Sequence, residues 1–169
     1  MQAVAGGTSP IALYKGVKEV QPTFPEVKMP RMLLVQQDEC DPMVTAWEWA
    51  TEHDFPEGFE THYEAKKNVK TRIGILTAAN PGNYPIVAPM VKESNGTFMR
   101  VKEAELPQYA KNLQDKTGIL LGPASIVCYA GFFDAIDKGS IKNGDSVLLN
   151  CGEGTKCSQW FVDEVEKLK

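Results

Sequence analysis

The sequence predicts an α/β fold in three layers, a mainly parallel β-sheet with helices on both faces, in one domain over residues 1–169. Short apolar runs alternate with stretches whose apolar residues recur at helical spacing. Glycine-rich turns follow two of the predicted strands directly, as in sheets that bind ligands at the carboxyl ends of their strands. A length of 169 residues and a hydrophobic fraction of 43% are sufficient for one substantial core.

The N-terminal part of the chain predicts two helices around a buried strand. Residues 10–20 have helical periodicity, with Ser9 suited to the N-cap and Pro10 to the first helical position. The short apolar run over 31–36 predicts a strand that is covered on both faces. An Asp-Pro pair then opens a helix over 41–51.

The rest of the chain continues this alternation. Residues 52–72 are polar and weakly patterned, which predicts a long irregular loop. The elements that follow are a helix over 84–93, a strand over 97–101, a helix over 104–116, a helix over 122–139, a buried strand over 146–150 and a helix over 158–168. The sequence therefore predicts about four strands, each followed by a helix.

Composition narrows the classes of partner and compartment. A net charge of −4 with scattered basic residues argues against nucleic acid as a partner. Neither a membrane-spanning apolar run nor a signal-peptide pattern is present, which favours a cytoplasmic protein without membrane contact. The four cysteines do not form a disulfide framework in a chain of this length. Cys151 and Cys157 could hold zinc, but no second cysteine pair accompanies them, so a metal site is disfavoured.

The first glycine-rich turn, Ala5–Ser9, lies between a strand end and a helix. Gly6 and Gly7 let backbone N–H groups approach a ligand closely, while Thr8 and Ser9 add hydroxyl groups. Together with the helix N-terminus they predict an anion site, most often for phosphate. The turn lacks the spacings of the dinucleotide fingerprint and of the P-loop, so nucleotide binding is disfavoured. The alternative is a turn that needs glycine for its geometry alone.

The second glycine-rich turn begins at Cys151, directly after the predicted strand over 146–150. Gly152 and Gly154 follow this cysteine. A strand end at the ligand edge of an α/β sheet is a place where a small polar side chain can contact a cofactor. The alternative is a structural thiol, because free cysteine is among the most buried residue types.

Six segments of the chain occur in the order seen in the C-terminal half of threonine synthase-like enzymes, a group in which cysteate synthase is a close relative. They are Ala3–Ala12, Pro30–Gln36, Asp41–Trp47, Arg72–Gly74, Gly118–Ser125 and Leu148–Gly154. The chain therefore resembles fold type II, or tryptophan synthase β-like, enzymes, which use pyridoxal 5′-phosphate (PLP). The resemblance covers nearly all of the chain.

The resemblance implies roles for both glycine-rich turns. Ala5–Ser9 match the loop that holds the PLP phosphate. Cys151 matches the position facing the pyridine nitrogen, where threonine synthases carry threonine and related serine and threonine dehydratases carry cysteine. Gly152 and Gly154 would let the backbone pass close to the ring. A neutral thiol at this position makes the ring a weaker electron sink, which suits elimination and replacement better than transamination.

The sequence departs from the pattern of this family in several respects. Gly122 stands where threonine synthases usually carry an acidic residue, and Glu153 and Cys157 also differ. Arg72 is a candidate for binding an anionic substrate, with a purely structural arginine as the alternative. The Schiff-base lysine of the family lies upstream of the phosphate loop, so no catalytic residue is expected within residues 1–169.

The expected function is therefore that of a C-terminal portion of a PLP-dependent enzyme, inactive without an N-terminal portion that carries the lysine. Its reaction would be β- or γ-replacement or elimination on an amino acid, as in threonine or cysteate synthesis. The alternatives are a standalone α/β module for an anionic small ligand, a serine/threonine dehydratase-like lyase, and a structural fragment without a ligand. An exposed sheet edge is expected to favour a homo-oligomer.

Overall fold

The computed structural model describes residues 1–168, without the side chain of Cys157, and confirms the α/β class with a parallel sheet. The strands are β1 (Gln2–Ala3), β2 (Leu33–Gln37) and β3 (Thr97–Val101). β2 lies in the centre, with its Leu34 opposite Gln2 of β1 and Phe98 of β3. All carboxyl ends of the strands therefore meet at one edge of the sheet.

Within the described residues, six α-helices connect and flank these strands. They are α1 (Thr8–Val20), α2 (Pro42–Glu52), α3 (Tyr84–Glu93), α4 (Leu106–Thr117), α5 (Pro123–Asp137) and α6 (Gln159–Glu166). None of them is sufficiently long and apolar to cross a bilayer.

The central strand separates two hydrophobic cores, which gives the three predicted layers. Leu34 packs into the core under α2 and α3, together with Trp47 and Tyr84. Val35 packs into the opposite core under α4, α5 and α6, together with Phe161. All five residues of β2 are buried, as the continuous apolar run over 31–36 predicts for a strand between two helical layers.

Helix α1 begins two residues earlier than the sequence predicts. Gly7 takes the N-cap position with φ of 87°, in the left-handed region, so Ser9 as the N-cap and Pro10 at the first helical position are both wrong. Pro10 is the third helical residue. The N–H groups of the first helical residues have no acceptor within the helix, so a proline at this position costs no hydrogen bond. The hydroxyl group of Ser9 donates a hydrogen bond to Gln2 instead of capping the helix.

Helix α2 begins as predicted, with Asp41 at the N-cap and Pro42 at the first position. Its free N–H groups are bonded by a side chain that the sequence does not reveal. The Oε1 atom of buried Gln36 accepts hydrogen bonds from the N–H groups of Met43 and Val44, at 2.9 and 3.1 Å. The Asp41 carboxylate instead forms ion pairs with a lysine and an arginine.

The predicted buried strand over 146–150 is wrong. Only Asn150 forms a parallel bridge, to Gln2, and the side chain of Leu148 is 80% exposed. The apolar run is present in the sequence, but it lies at the outer edge of the sheet, beyond the short strand β1. An apolar run is buried on both faces only where helices cover both of them.

Candidate functional site

Both glycine-rich turns lie at the carboxyl edge of the sheet. Ala5–Ser9 follows β1, and Cys151 follows the bridge between Asn150 and Gln2. The buried amide of Gln2 connects the two turns, because its Oε1 atom accepts hydrogen bonds from Ser9 Oγ at 3.0 Å and from Asn150 Nδ2 at 3.2 Å. The structure thus brings together two segments that are more than 140 residues apart in the sequence.

The two glycines of the first turn have different surroundings. Gly7 is buried with a positive φ, and a Cβ atom there would lie 2.8 Å from Val87 Cγ2. At Gly6 a Cβ atom would meet no heavy atom within 4 Å. The Gly6 carbonyl accepts a hydrogen bond from Asn83 Nδ2 at 2.6 Å, which ties the turn to the residue preceding α3. The sequence marks Asn83 as a turn residue and gives no signal of this contact.

The first turn of α1 presents several hydrogen-bond donors. Thr8 and Ser9 are exposed, and within residues 1–168 the N–H groups of Gly6, Gly7, Thr8 and Ser9 have no acceptor. The first residues of a helix have no carbonyl group four residues back, so such N–H groups are available to an anion. Gln2 Nε2 is also buried without a partner in this part of the chain.

The second turn is fixed to the N-terminus of α5 by Glu153. Its carboxylate accepts a hydrogen bond from the Ala124 N–H at 2.6 Å, and its carbonyl accepts one from Ser125 Oγ at 2.9 Å. A Cβ atom on Gly122 would collide with the Gly154 carbonyl and would lie 2.7 Å from Glu153 Oε2. Gly122 and Glu153, which both differ from the threonine synthase pattern, are therefore in direct contact. The carboxylate of Glu153 occupies the space beside residue 122.

We expect Glu153→Ala to lower the free energy of unfolding by about 1–2 kcal/mol, because the Ala124 N–H loses a charged acceptor at a helix N-terminus. Urea denaturation measures this change. Glu166→Ala, on the exposed surface of α6, is the matched control and should change stability by less than about 0.5 kcal/mol. Equal losses in the two variants would contradict the capping role.

Cys151 is partly buried against the fully buried Cys128. A hydrogen bond from the Cys128 thiol lowers the pKa of Cys151 to about 7, and the positive charge of the Met1 ammonium acts in the same direction. The same contact, together with burial, raises the pKa of Cys128. The structure therefore favours ionisation of Cys151, whereas the sequence predicts only a small polar side chain.

We expect iodoacetamide to alkylate Cys151 with a rate that rises through a midpoint near pH 7, below the value of about 8.5 of an ordinary thiol. Cys128→Ala removes the hydrogen bond that favours the thiolate, so the midpoint should move to higher pH. Mass spectrometry of the Cys151 peptide separates its rate from those of the other cysteines. An unchanged midpoint in Cys128→Ala would show that this contact does not set the pKa.

Arg72 makes contacts that support its structural alternative. Its guanidinium carbon lies 3.9 Å from the centre of the Trp160 ring, and Nη1 lies 2.5 Å from Glu164 Oε1. These contacts tie the segment before α3 to α6.

The zinc alternative falls partly outside the described residues, because the side chain of Cys157 is not among them. Among the side chains that the structure does describe, no group of three or more His, Cys, Asp and Glu residues could hold a metal ion.

A parallel sheet between two helical layers, with two glycine-rich turns at its carboxyl edge, defines an α/β domain of the kind that binds ligands at that edge. The chain belongs to the family described as pyridoxal-phosphate dependent enzyme, whose sequence profile matches residues 1–152. The resemblance to fold type II PLP-dependent enzymes is thereby confirmed, and PLP is the cofactor of this family.

Relatives among curated proteins carry the two enzyme names that the sequence motifs suggest. Cysteate synthase from Methanospirillum hungatei is 31% identical over 158 residues, which are 91% of this chain and 37% of that protein. Threonine synthase from Methanocaldococcus jannaschii is 28% identical over 146 residues, or 86% of this chain and 34% of that protein. Cysteate synthase from Methanosphaerula palustris is 31% identical over 162 residues. The chain spans little more than a third of the length of these relatives.

The donors at the carboxyl edge fit the phosphate group of PLP. Four successive N–H groups, from Gly6 to Ser9, lack acceptors within residues 1–168, and the hydroxyl-bearing side chains of Thr8 and Ser9 are exposed beside them. The buried Gln2 Nε2 adds a donor without a partner close to Ser9. A dianionic phosphate can accept hydrogen bonds from all of these group types.

Proposed function

We propose that this chain is the C-terminal portion of a PLP-dependent enzyme that carries out β- or γ-replacement or elimination on an amino acid, in threonine or cysteate synthesis. The observation that carries this proposal is the pair of glycine-rich turns, which Gln2 connects at the carboxyl edge of the sheet. The curated relatives are about two and a half times as long as this chain. We assign the covalent lysine and the substrate carboxylate site to an N-terminal portion, and residues 1–169 alone should not catalyse the reaction.

In this proposal each turn has a separate task. The N–H groups of Gly6, Gly7 and Thr8, with the hydroxyl groups of Thr8 and Ser9, hold the phosphate of the cofactor. Ser9 Oγ donates its proton to Gln2 in this structure, so this proton must turn to the phosphate for the Ser9 hydroxyl group to contribute to the site. When bound, PLP supplies the electron sink for chemistry at the α-carbon of an amino acid.

The second turn acts on the ring of the cofactor. Cys151 would contact the ring nitrogen, and Gly152 would let the backbone pass close to the ring, since no heavy atom lies within 4 Å of where its Cβ atom would stand. The lowered pKa of Cys151 favours its thiolate as the pH rises, so this side chain would offer the ring nitrogen an acceptor more readily than an ordinary thiol does.

Amide NMR spectra with pyridoxine 5′-phosphate test the proposal, because this compound lacks the aldehyde that labels surface lysines. We expect shifts at Gly6, Gly7, Thr8 and Ser9 that pyridoxine without phosphate does not produce. The ring should add shifts at Cys151 that inorganic phosphate does not produce. No change at the first turn at millimolar concentrations would contradict the proposal.

The same spectra separate the proposal from a standalone module for anionic ligands. Such a module predicts equal shifts with inorganic phosphate and with pyridoxine 5′-phosphate, and none specific to the ring at Cys151. Turnover of an amino acid by residues 1–169 with PLP would contradict the assigned need for an N-terminal portion.

A further inference from the structure

Two cysteine side chains meet where the second glycine-rich turn packs against α5. The sulfur of Cys151 lies 3.9 Å from the carbonyl oxygen of Ser125, in the first turn of α5. Cys128 is three residues further along this helix, and the side chain of a helical residue points back towards the residues three and four positions earlier. Both sulfur atoms therefore approach the same carbonyl group.

Further contacts place the Cys128 sulfur directly beside the second turn. Its thiol donates a hydrogen bond to the sulfur of Cys151, and it also lies within hydrogen-bond reach of the Asn150 backbone. Both cysteines are reduced in the structure. Two reduced thiols in contact are the arrangement from which an intramolecular disulfide forms.

The two thiols differ in their access to solvent. Cys128 is fully buried in α5, whereas Cys151 is partly exposed on the turn, so a small oxidant meets Cys151 first. Their mutual contact, together with burial, raises the pKa of Cys128 and lowers that of Cys151. The accessible member of the pair is therefore also the one that ionises, and the thiolate is the form that peroxide oxidises.

The second turn leaves room for the two sulfur atoms to come together. A disulfide needs a distance of about 2.05 Å between them, which is shorter than a hydrogen-bonded contact. Cys151 is followed by Gly152, where a Cβ atom would meet no heavy atom within 4 Å, so this part of the turn can shift without a collision. Glu153 meanwhile keeps the turn bound to the N-terminus of α5.

We propose that Cys151 and Cys128 form a peroxide-responsive thiol pair. The thiolate of Cys151 attacks one oxygen of hydrogen peroxide, which breaks the O–O bond, leaves a sulfenic acid on Cys151 and releases hydroxide. The sulfur of Cys128 then attacks the Cys151 sulfur, forms the S–S bond and expels the hydroxyl group, which leaves as water with the proton of Cys128. In sum, two thiols lose two electrons and two protons, and the peroxide becomes two molecules of water.

The consequence for the cofactor site rests on the proposed function, in which Cys151 contacts the ring nitrogen. In the disulfide this sulfur is bonded to Cys128 and carries neither a proton nor a negative charge. Oxidation should therefore weaken the ring contact and leave the contacts of Gly6 to Ser9 with the phosphate in place. A dithiol reductant would restore both thiols.

Treatment of residues 1–169 with hydrogen peroxide tests the pair. After N-ethylmaleimide has blocked the remaining thiols, mass spectrometry should find a peptide that links Cys128 to Cys151 and is separated again by dithiothreitol. Cys40, whose pKa is raised by burial, is the internal comparison and should be oxidised at least about tenfold more slowly than Cys151. Oxidation of Cys151 to the sulfinic acid without this link would overturn the proposal, as would links that form only between two copies of the chain.

Two variants assign the order of the two steps. In Cys128→Ser, dimedone should trap the sulfenic acid on Cys151, because the thiol that displaces its hydroxyl group is gone. In Cys151→Ser, the buried Cys128 should react with peroxide at least about tenfold more slowly than Cys151 does in the unaltered chain. Fast oxidation of Cys128 in this variant would contradict the assigned roles. The link in the unaltered chain is measured without either variant, so the test does not depend on their folding.

These measurements need no cofactor, so they test the thiol pair separately from the proposed function. With pyridoxine 5′-phosphate, the oxidised chain should keep the shifts at Gly6 to Ser9 and lose the ring-specific shift at Cys151. If the link forms but neither the reduced nor the oxidised chain binds pyridoxine 5′-phosphate, the proposed function is wrong and the thiol pair is supported.

Discussion

Gly7→Ala is expected to lower the free energy of unfolding by about 2–4 kcal/mol. The φ of 87° places an alanine in the left-handed region, at a cost of about 1 kcal/mol. Its Cβ atom would also lie 2.8 Å from Val87 Cγ2 and 3.4 Å from Met43 Cε, inside the core under α2 and α3, and overpacking of this kind costs about 1–3 kcal/mol. Urea denaturation measures the sum of the two effects.

Gly6→Ala is the matched control one residue away. A Cβ atom at Gly6 meets nothing within 4 Å, and its φ lies outside the left-handed region, so the stability should change by less than about 0.5 kcal/mol. If the proposed phosphate contact is correct, the added methyl group should weaken binding of pyridoxine 5′-phosphate, because it stands beside the donor N–H groups. A loss of stability as large as that of Gly7→Ala would refute the separate roles of the two glycines.

The contrast between these glycines explains what the sequence can predict about the first turn. A strand, a pair of glycines and a helix are local features, and the structure confirms them. The position at which α1 begins depends on residues that are distant in the sequence. Val87 and Asn83 pack around Gly7, and Asn83 also bonds to the Gly6 carbonyl. A sequence pattern alone therefore favours Ser9 as the cap, whereas packing selects Gly7.

The strand predicted over 146–150 shows the same division between local pattern and context. Its apolar run is real, and Asn150 does pair with Gln2. Periodicity does not indicate how many neighbouring strands a segment has. The segment over 146–150 has β1 on one side and pairs with it through the bridge between Asn150 and Gln2. Leu148 is accordingly 80% exposed at this edge of the sheet.

The contacts that assemble the site depend on pairs of residues that only the fold brings together. Gln2 gives no sequence signal, although it bonds to both Ser9 and Asn150. Gly122 and Glu153 are visible as departures from the threonine synthase pattern, but only as two separate ones. Their contact is a compensation within this structure, in which Glu153 supplies the carboxylate and Gly122 leaves the space for it.

Gly122→Ala tests this compensation directly and is expected to lower the free energy of unfolding by about 2–3 kcal/mol. The new methyl group would collide with the Gly154 carbonyl and would stand 2.8 Å from Glu153 Cγ, so the second turn must move. Since that turn begins at Cys151, the midpoint of its alkylation should shift as well. Denaturation and site-resolved alkylation measure the two effects.

Two further variants separate a collision from a general weakness of the turn. Gly152→Ala adds a methyl group to the same turn where no heavy atom lies within 4 Å, and it should leave both measurements nearly unchanged. Combining Gly122→Ala with Glu153→Ala removes two of the three close contacts and leaves only the Gly154 carbonyl. The double variant should therefore lose less stability than the sum of the single losses. Strict additivity would mean that residues 122 and 153 do not compensate for each other.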